Sequence, residues 1–117
     1  MAGPGDALSE EEVAGVYEWL DSLPLTRTKR NIYRDFSDAF TAAEIVHHYL
    51  PRLVDMHNYP PANAAKQKIS NWNTLNNKVL RRLGYALRES TIAALVAGKP
   101  GEIERVLLQI RAKIDHY

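Results

Sequence analysis

The chain has 117 residues, of which 45% are hydrophobic and 25% charged, with a net charge of +1 and no cysteine. This balance predicts one soluble globular domain that buries its own core without disulfides. The lack of cysteine excludes thiolate metal sites and thiol nucleophiles. No apolar run approaches the roughly 20 residues that span a bilayer. The acidic N-terminal sequence also lacks the order of a signal peptide, so we expect a cytoplasmic location and no membrane partner.

The first residues predict a flexible segment followed by a capped helix. Gly3, Pro4 and Gly5 favour a flexible N-terminal segment over 1–8, with one domain over 9–117. Ser9 and Glu12 have the spacing of a capping box, which predicts a helix start. The apolar residues that follow at helical spacing are Val13, Val16, Tyr17 and Leu20. Pro24 predicts that this helix ends soon after Leu20.

The middle of the chain alternates between connections and helices. Residues 26–34 have no helical period and predict a loop or short turn, after which Asp35 or Ser37 is a candidate cap for a helix that ends at Pro51. Apolar spacing over 64–83 predicts the strongest helix, with Gly84 as its C-cap.

Two further helices are predicted after Gly84. The first is short and opens at Glu89, and the last begins near Glu102. No segment alternates as a strand does, so the predicted fold class is all-α, with four principal helices and short connecting helices. The expected members of its single core are Val13, Val16, Leu20, Phe40, Val46, Ile69, Trp72, Val79, Leu80, Leu83, Val106, Leu107 and Ile110.

The clearest candidate for a binding surface is a basic segment. Its cations lie within eight residues with no acidic residue between them: Arg27, Lys29, Arg30 and Arg34. Such a cluster favours an acidic partner. The alternative is that these side chains cap helix ends or pair with Asp35 or Asp38. Arg34 is the most ambiguous of the four, because it directly precedes Asp35.

A second basic cluster lies on the predicted 64–83 helix. Lys78, Arg81 and Arg82 point away from its apolar stripe, and they fit an ordinary solvated face as well as a binding face. Lys66 and Lys68 lie near the start of the same helix, where the helix dipole disfavours cations. This mismatch weakly indicates that these two lysines contact a partner.

Patterns of catalytic and metal-binding residues are missing. His47 and His48 are adjacent, so they point about 100° apart on a helix, and nothing completes a zinc-ligand set. The glycines resemble caps and turns, with no phosphate-binding loop. No arrangement of acid, base and nucleophile is visible. We therefore expect no enzymatic activity, no metal and no cofactor.

Several motifs carry a family resemblance. The strings are Val16-Tyr17-Glu18-Trp19-Leu20, Asp35-Phe36-Ser37-Asp38-Ala39, and Asn71-Trp72 on a helix that leads to Leu83-Gly84. They resemble calponin-homology domains. The strings Met56-His57-Asn58-Tyr59 and Leu75-Asn76-Asn77-Lys78-Val79-Leu80 are similar to a divergent branch, the sperm flagellar or calponin-homology and microtubule-associated protein family. The likeness extends from about 13 to 114.

This resemblance implies a single calponin-homology domain that binds microtubules in the ciliary or flagellar cytoskeleton, including the axoneme. It implies tubulin as the partner of the basic residues, and a longer protein whose C-terminal coiled coil could make a dimer. The family's usual glycine is replaced by Ala39, which we expect to fit near a close helix contact.

Three other classes of binding protein stay open. An actin-binding protein usually has two such domains in tandem. A scaffold module would bind protein without any filament. A nucleic-acid binder would need a larger positive excess than +1, so we expect no nucleic-acid partner, and only four asparagines that could read bases keep this class open: Asn71, Asn73, Asn76 and Asn77.

Overall fold

The structure is a computed structural model that describes residues 7–27 and 31–117. The α-helices in these ranges are α1 (Glu10–Asp21), α2 (Ile32–Asp35), α3 (Phe40–Tyr49), α4 (Ala65–Lys78), α5 (Glu89–Val96) and α6 (Glu102–His116). Short 3₁₀ helices cover Pro51–Leu53, Met56–Asn58 and Leu80–Leu83. No strand occurs in the part that the structure describes, so the all-α prediction is confirmed. Most of the predicted flexible segment, residues 1–6, lies outside the described residues.

The start of α1 has the capping box that its sequence predicts. The Ser9 hydroxyl accepts a hydrogen bond from the Glu12 amide at 3.1 Å, and the Ser9 amide donates to the Glu12 carboxylate at 3.0 Å. The helix then lays Val16 and Leu20 into the core and packs against α6. Val16 and Leu20 of the predicted apolar face are therefore buried, whereas Tyr17 of the same face is 37% exposed.

The core takes buried residues from α1, α3, α4, α5 and α6, with α6 packed against α1, α3 and α5, and Trp72 of α4 is one of its members. Trp72 is fully buried, and its indole N–H donates to the carbonyl oxygen of Ser37 at 3.0 Å. Most of the predicted core residues are buried. Ile69 is the exception, since it is 40% exposed, and Val13 and Phe40 are only partly buried. The prediction for Ile69 was wrong because polar Asn71 and Asn76 occupy the buried face of α4 and turn it away from Ile69.

The predicted 64–83 helix is in fact two elements. The α-helix ends at Lys78, Val79 leaves helical geometry at φ −120° and ψ −60°, and a 3₁₀ helix follows. A 3₁₀ helix has three residues per turn, so it places Leu80 and Leu83 on the same side, where both are buried. Gly84 ends it with a φ of +82°, as expected for a C-cap glycine.

The connection before α3 agrees with its prediction except for the residue that bonds the start of α3. Residues 26–34 were expected to form a loop or short turn, and residues 32–35 form the single helical turn α2, which the Asn31 side chain caps by accepting from the Arg34 amide at 3.3 Å. Neither Asp35 nor Ser37 caps α3. The Asp38 carboxylate instead accepts from the Phe40 amide at 3.1 Å, because Asp38 is the acidic side chain turned toward the first amides of α3.

Ala39 precedes α3 in the left-handed region, with a φ of +66°. It is also fully buried. The glycine that the family usually has here would adopt this backbone without a steric penalty. The constraint at this position is therefore backbone conformation as well as the close packing that the sequence predicted.

Candidate basic binding surface

The first cation of the basic segment is held inside the fold. Arg27 donates through both terminal nitrogens to the two oxygens of Asp38, at 2.9 and 2.8 Å, and through Nη1 to the Asp35 carbonyl at 2.6 Å. Its guanidinium carbon also lies 4.9 Å from the centre of the Phe40 ring. The Arg27 side chain is only 25% exposed. Of the two interpretations for this residue, the geometry favours pairing with Asp38.

Asp38 is the point at which three segments meet. Besides Arg27 and the Phe40 amide, its carboxylate accepts from the Ala62 amide at 2.9 Å. Burial of the carboxyl group would by itself raise its pKa, but the hydrogen bonds from Arg27, Ala62 and Phe40 outweigh burial and hold the pKa below its usual value. An ionised Asp38 thus ties the basic segment to α3 and to the connection before α4.

Two asparagines that could have read bases are structural instead. Asn71 is 1% exposed and donates to the carbonyl oxygens of Asp38 and Pro60, at 2.9 and 2.8 Å. Asn76 is buried too, and its side chain bonds both the N–H and the C=O of Leu87. These bonds satisfy backbone groups that would otherwise be buried without partners. Two of the four asparagines that kept a nucleic-acid function open are therefore buried and bonded to the backbone, so they cannot contact bases.

Arg34 and Lys68 meet at one depression of about 440 Å³. Arg34, the residue that the sequence left most ambiguous, is exposed and forms no ion pair with a described residue. Lys68 comes from the first turns of α4 and is partly buried. The rest of the lining is Arg27, Asn31, Asp35, Ser37, Asp38, Ala62 and Asn63. The structure thus joins two basic regions that are separate in the sequence.

The second basic cluster lies at the far end of α4. Lys78, Arg81 and Arg82 are all exposed, as predicted. Ten residues of α-helix separate Lys68 from Lys78, which is about 15 Å along the axis. This exceeds the Debye length of about 8 Å at physiological salt, so the two clusters act as separate charges toward a partner.

Lys29 and Arg30 were predicted to contact the partner, and they lie outside the described residues. Their place in the site rests on the sequence, which puts them between Arg27 and the capping residue Asn31.

Neither a membrane span nor a metal cluster is found in residues 7–27 and 31–117. No helix there is long and apolar enough to cross a membrane. In the same ranges no group of three or more histidine, aspartate or glutamate side chains could hold a metal ion.

Comparison with known proteins decides the family. Residues 16–112 match the family described as the CH-like domain in sperm protein. The chain belongs to this family. The resemblance that the sequence motifs indicated is confirmed over residues 16–112, and the all-α fold is consistent with a CH-like domain.

Several sperm flagellar proteins are similar to this member of the family. Sperm flagellar protein 1 of Xenopus laevis is 49% identical over 106 residues, which covers 91% of this chain and 46% of that protein. The protein of the same name from Bos taurus is 44% identical over 115 residues, covering 98% and 48%. The Homo sapiens protein is 42% identical over 109 residues, covering 93% and 46%. The chain thus spans about half the length of the curated relatives that it matches.

Proposed function

We propose that this domain binds microtubules in the flagellar or ciliary cytoskeleton and performs no catalysis. The observation that carries the proposal is the basic segment, because it lies in a CH-like domain of the kind found in sperm flagellar proteins. Microtubule surfaces are strongly acidic, so a basic surface on a rigid helical framework suits them. The expected dimer through a C-terminal coiled coil stays a prediction about the full-length protein.

The proposal divides the predicted contact residues by role. Lys29, Arg30 and Arg34 form the main contact, with Arg34 supported by its exposure at the depression. Lys78, Arg81 and Arg82 form a second, weaker contact at the other end of α4. Arg27 acts mainly by holding the segment in place, because its guanidinium is already paired with Asp38.

Co-sedimentation with microtubules and with F-actin, at low and at high salt, tests this function. We expect the parent to pellet with microtubules and to be released by salt, since the Debye length falls from about 10 Å at 0.1 M to about 3 Å at 1 M. Reversing the charges of Lys29 and Arg30 together to glutamate should sharply reduce binding. It should leave the circular dichroism and melting temperature nearly unchanged, because the proposed function assigns these two charges to the partner and not to the fold.

The matched control reverses Lys66 and Lys99 to glutamate. Both side chains are exposed, and the change in net charge is the same. If the control loses as much binding as the Lys29 and Arg30 variant, net charge and not the basic segment drives the interaction. Failure of the parent to pellet with microtubules would overturn the proposed function, and pelleting with F-actin instead would favour an actin-binding domain.

A further inference from the structure

We propose that the depression between Arg34 and Lys68 receives acidic side chains from a glutamate-rich segment of the partner, and that Lys68 is a contact residue of this site. The inference rests on the proposed function and makes it more specific. It assigns a role to Lys68 of α4, which the helix dipole only weakly indicated, and joins it to the surface formed by the basic segment.

The charge of the depression favours an anion. Three cationic side chains line it: Arg27, Arg34 and Lys68. Two carboxylates line it as well: Asp35 and Asp38. Arg27 and Asp38 compensate each other through their paired hydrogen bonds. The remaining charges leave one net positive charge, and Arg34 and Lys68 are the cations that stay available to a ligand.

The start of α4 adds to this potential. Its N-cap residue, Ala64, makes no side-chain hydrogen bond, and its first turn has no acidic residue. The amide groups at a helix N-terminus carry partial positive charge, so a lysine near them costs a few tenths of a kcal/mol or more, and an incoming carboxylate would be stabilised. The position of Lys68 is thus unfavourable for the isolated domain and favourable for a complex with an acidic segment.

The walls of the depression are held in place before any ligand arrives. Asp38 bonds the Ala62 amide and Arg27, and Asn71 bonds the carbonyl oxygens of Asp38 and Pro60. These bonds connect the segment that carries Arg34 to the segment that leads into α4. A site that is already formed loses less conformational entropy when it binds.

Lys66 shares with Lys68 the unfavourable position near the start of α4, but only Lys68 lines the depression, so Lys66 is a matched control. It lies on the same helix two residues earlier, so the two lysines point about 200° apart. Lys66 is exposed and is not among the residues that line the depression. Neutral variants, Lys68→Gln and Lys66→Gln, retain most of the aliphatic stem and remove the same charge.

The first measurement is microtubule co-sedimentation of these two variants. We expect Lys68→Gln to bind about tenfold more weakly and Lys66→Gln to bind as the parent does, with Lys68→Arg restoring most of the loss. Unchanged melting temperatures would show that all three variants fold. Equal binding by Lys68→Gln and Lys66→Gln would overturn the inference.

The second measurement needs no microtubules. Hexaglutamate is titrated at low salt into the ¹⁵N-labelled domain, and we expect chemical-shift changes at the amides of Asn31, Asn63 and Lys68 that are lost in Lys68→Gln. Shift changes confined to other surfaces, or none at all, would also overturn the inference. If the parent does not bind microtubules, the proposed function fails, and the peptide titration still decides whether the depression takes acidic side chains.

Discussion

Arg27 and Asp38 form a two-point ion pair, with nitrogen–oxygen distances of 2.9 and 2.8 Å, that joins the basic segment to the start of α3. Asp38 is buried and Arg27 is three-quarters buried, so the pair is screened less than a surface salt bridge. Breaking a buried pair leaves one charge without its partner, which is costly. The pair therefore distinguishes Arg27, a structural cation, from Arg34, which is exposed and forms no ion pair with a described residue.

Replacing Arg27 with alanine should destabilise the domain by about 2–3 kcal/mol, somewhat below the range for fully buried pairs because Arg27 is partly exposed. Arg34→Ala is the matched control and should change stability by less than about 0.5 kcal/mol, since Arg34 is exposed. Urea denaturation measures both. Equal stabilities for the two variants would show that the Arg27 pair contributes nothing.

The same pair predicts a pH dependence. The pKa of Asp38 is lowered in the folded state, so its contribution to stability is complete above the unfolded pKa of about 3.9 and is lost as the pH falls through the folded-state pKa. A protonated Asp38 resembles asparagine. The difference in unfolding free energy between the parent and Asp38→Asn should therefore shrink as the pH falls from 7 to below about 4. A difference that stays constant in denaturation curves across this range would contradict the ion-pair explanation.

The buried face of α4 is tested by two variants of the same helix. Trp72→Ala removes a fully buried side chain and its hydrogen bond to Ser37, and should cost about 3–5 kcal/mol, enough to unfold many domains of this size. Ile69→Ala should cost less than about 1 kcal/mol, because Ile69 is 40% exposed. Thermal unfolding followed by circular dichroism compares them. If Ile69→Ala lost more stability than Trp72→Ala, the apolar stripe predicted from the sequence would be the buried face after all.

Ala39 allows a test of backbone strain. Ala39→Gly relieves a left-handed conformation that costs about 1–2 kcal/mol. It also loses a buried methyl group, worth about 0.8 kcal/mol, and adds entropy to the unfolded chain. We expect stability within about 1 kcal/mol of the parent. Ala39→Val, which is bulkier and β-branched at a fully buried position, should lose at least about 2 kcal/mol. Denaturation curves that show both variants equally stable would mean that neither strain nor space limits this position.

Local patterns in the sequence were sufficient to predict the structural elements that depend only on residues close together in the chain. The Ser9 capping box, the apolar period of α1 and the cap at Gly84 involve residues only a few positions apart, so they can be read without a structure. The order of the motifs was sufficient for the family, because many short strings in a fixed order make a specific pattern. The same local logic failed at Val79, where burial of Leu80 and Leu83 favours a tighter helix.

The tertiary structure alone decided which polar side chains are used by the fold and which remain for a partner. Hydropathy predicts that Asn71 is exposed and Ile69 is buried. In the structure Asn71 is buried, where it bonds a distant carbonyl group, and Ile69 is exposed. Arg27 and Arg34 look alike in the sequence, but only Arg27 meets a buried carboxylate. Lys68 and Arg34 line the same depression because the Ala62 amide bonds the Asp38 carboxylate, which holds the segment before α4 against the segment that carries Arg34. Each of these outcomes depends on partners that lie 11 or more residues apart in the sequence, and a local pattern carries no information about such pairs.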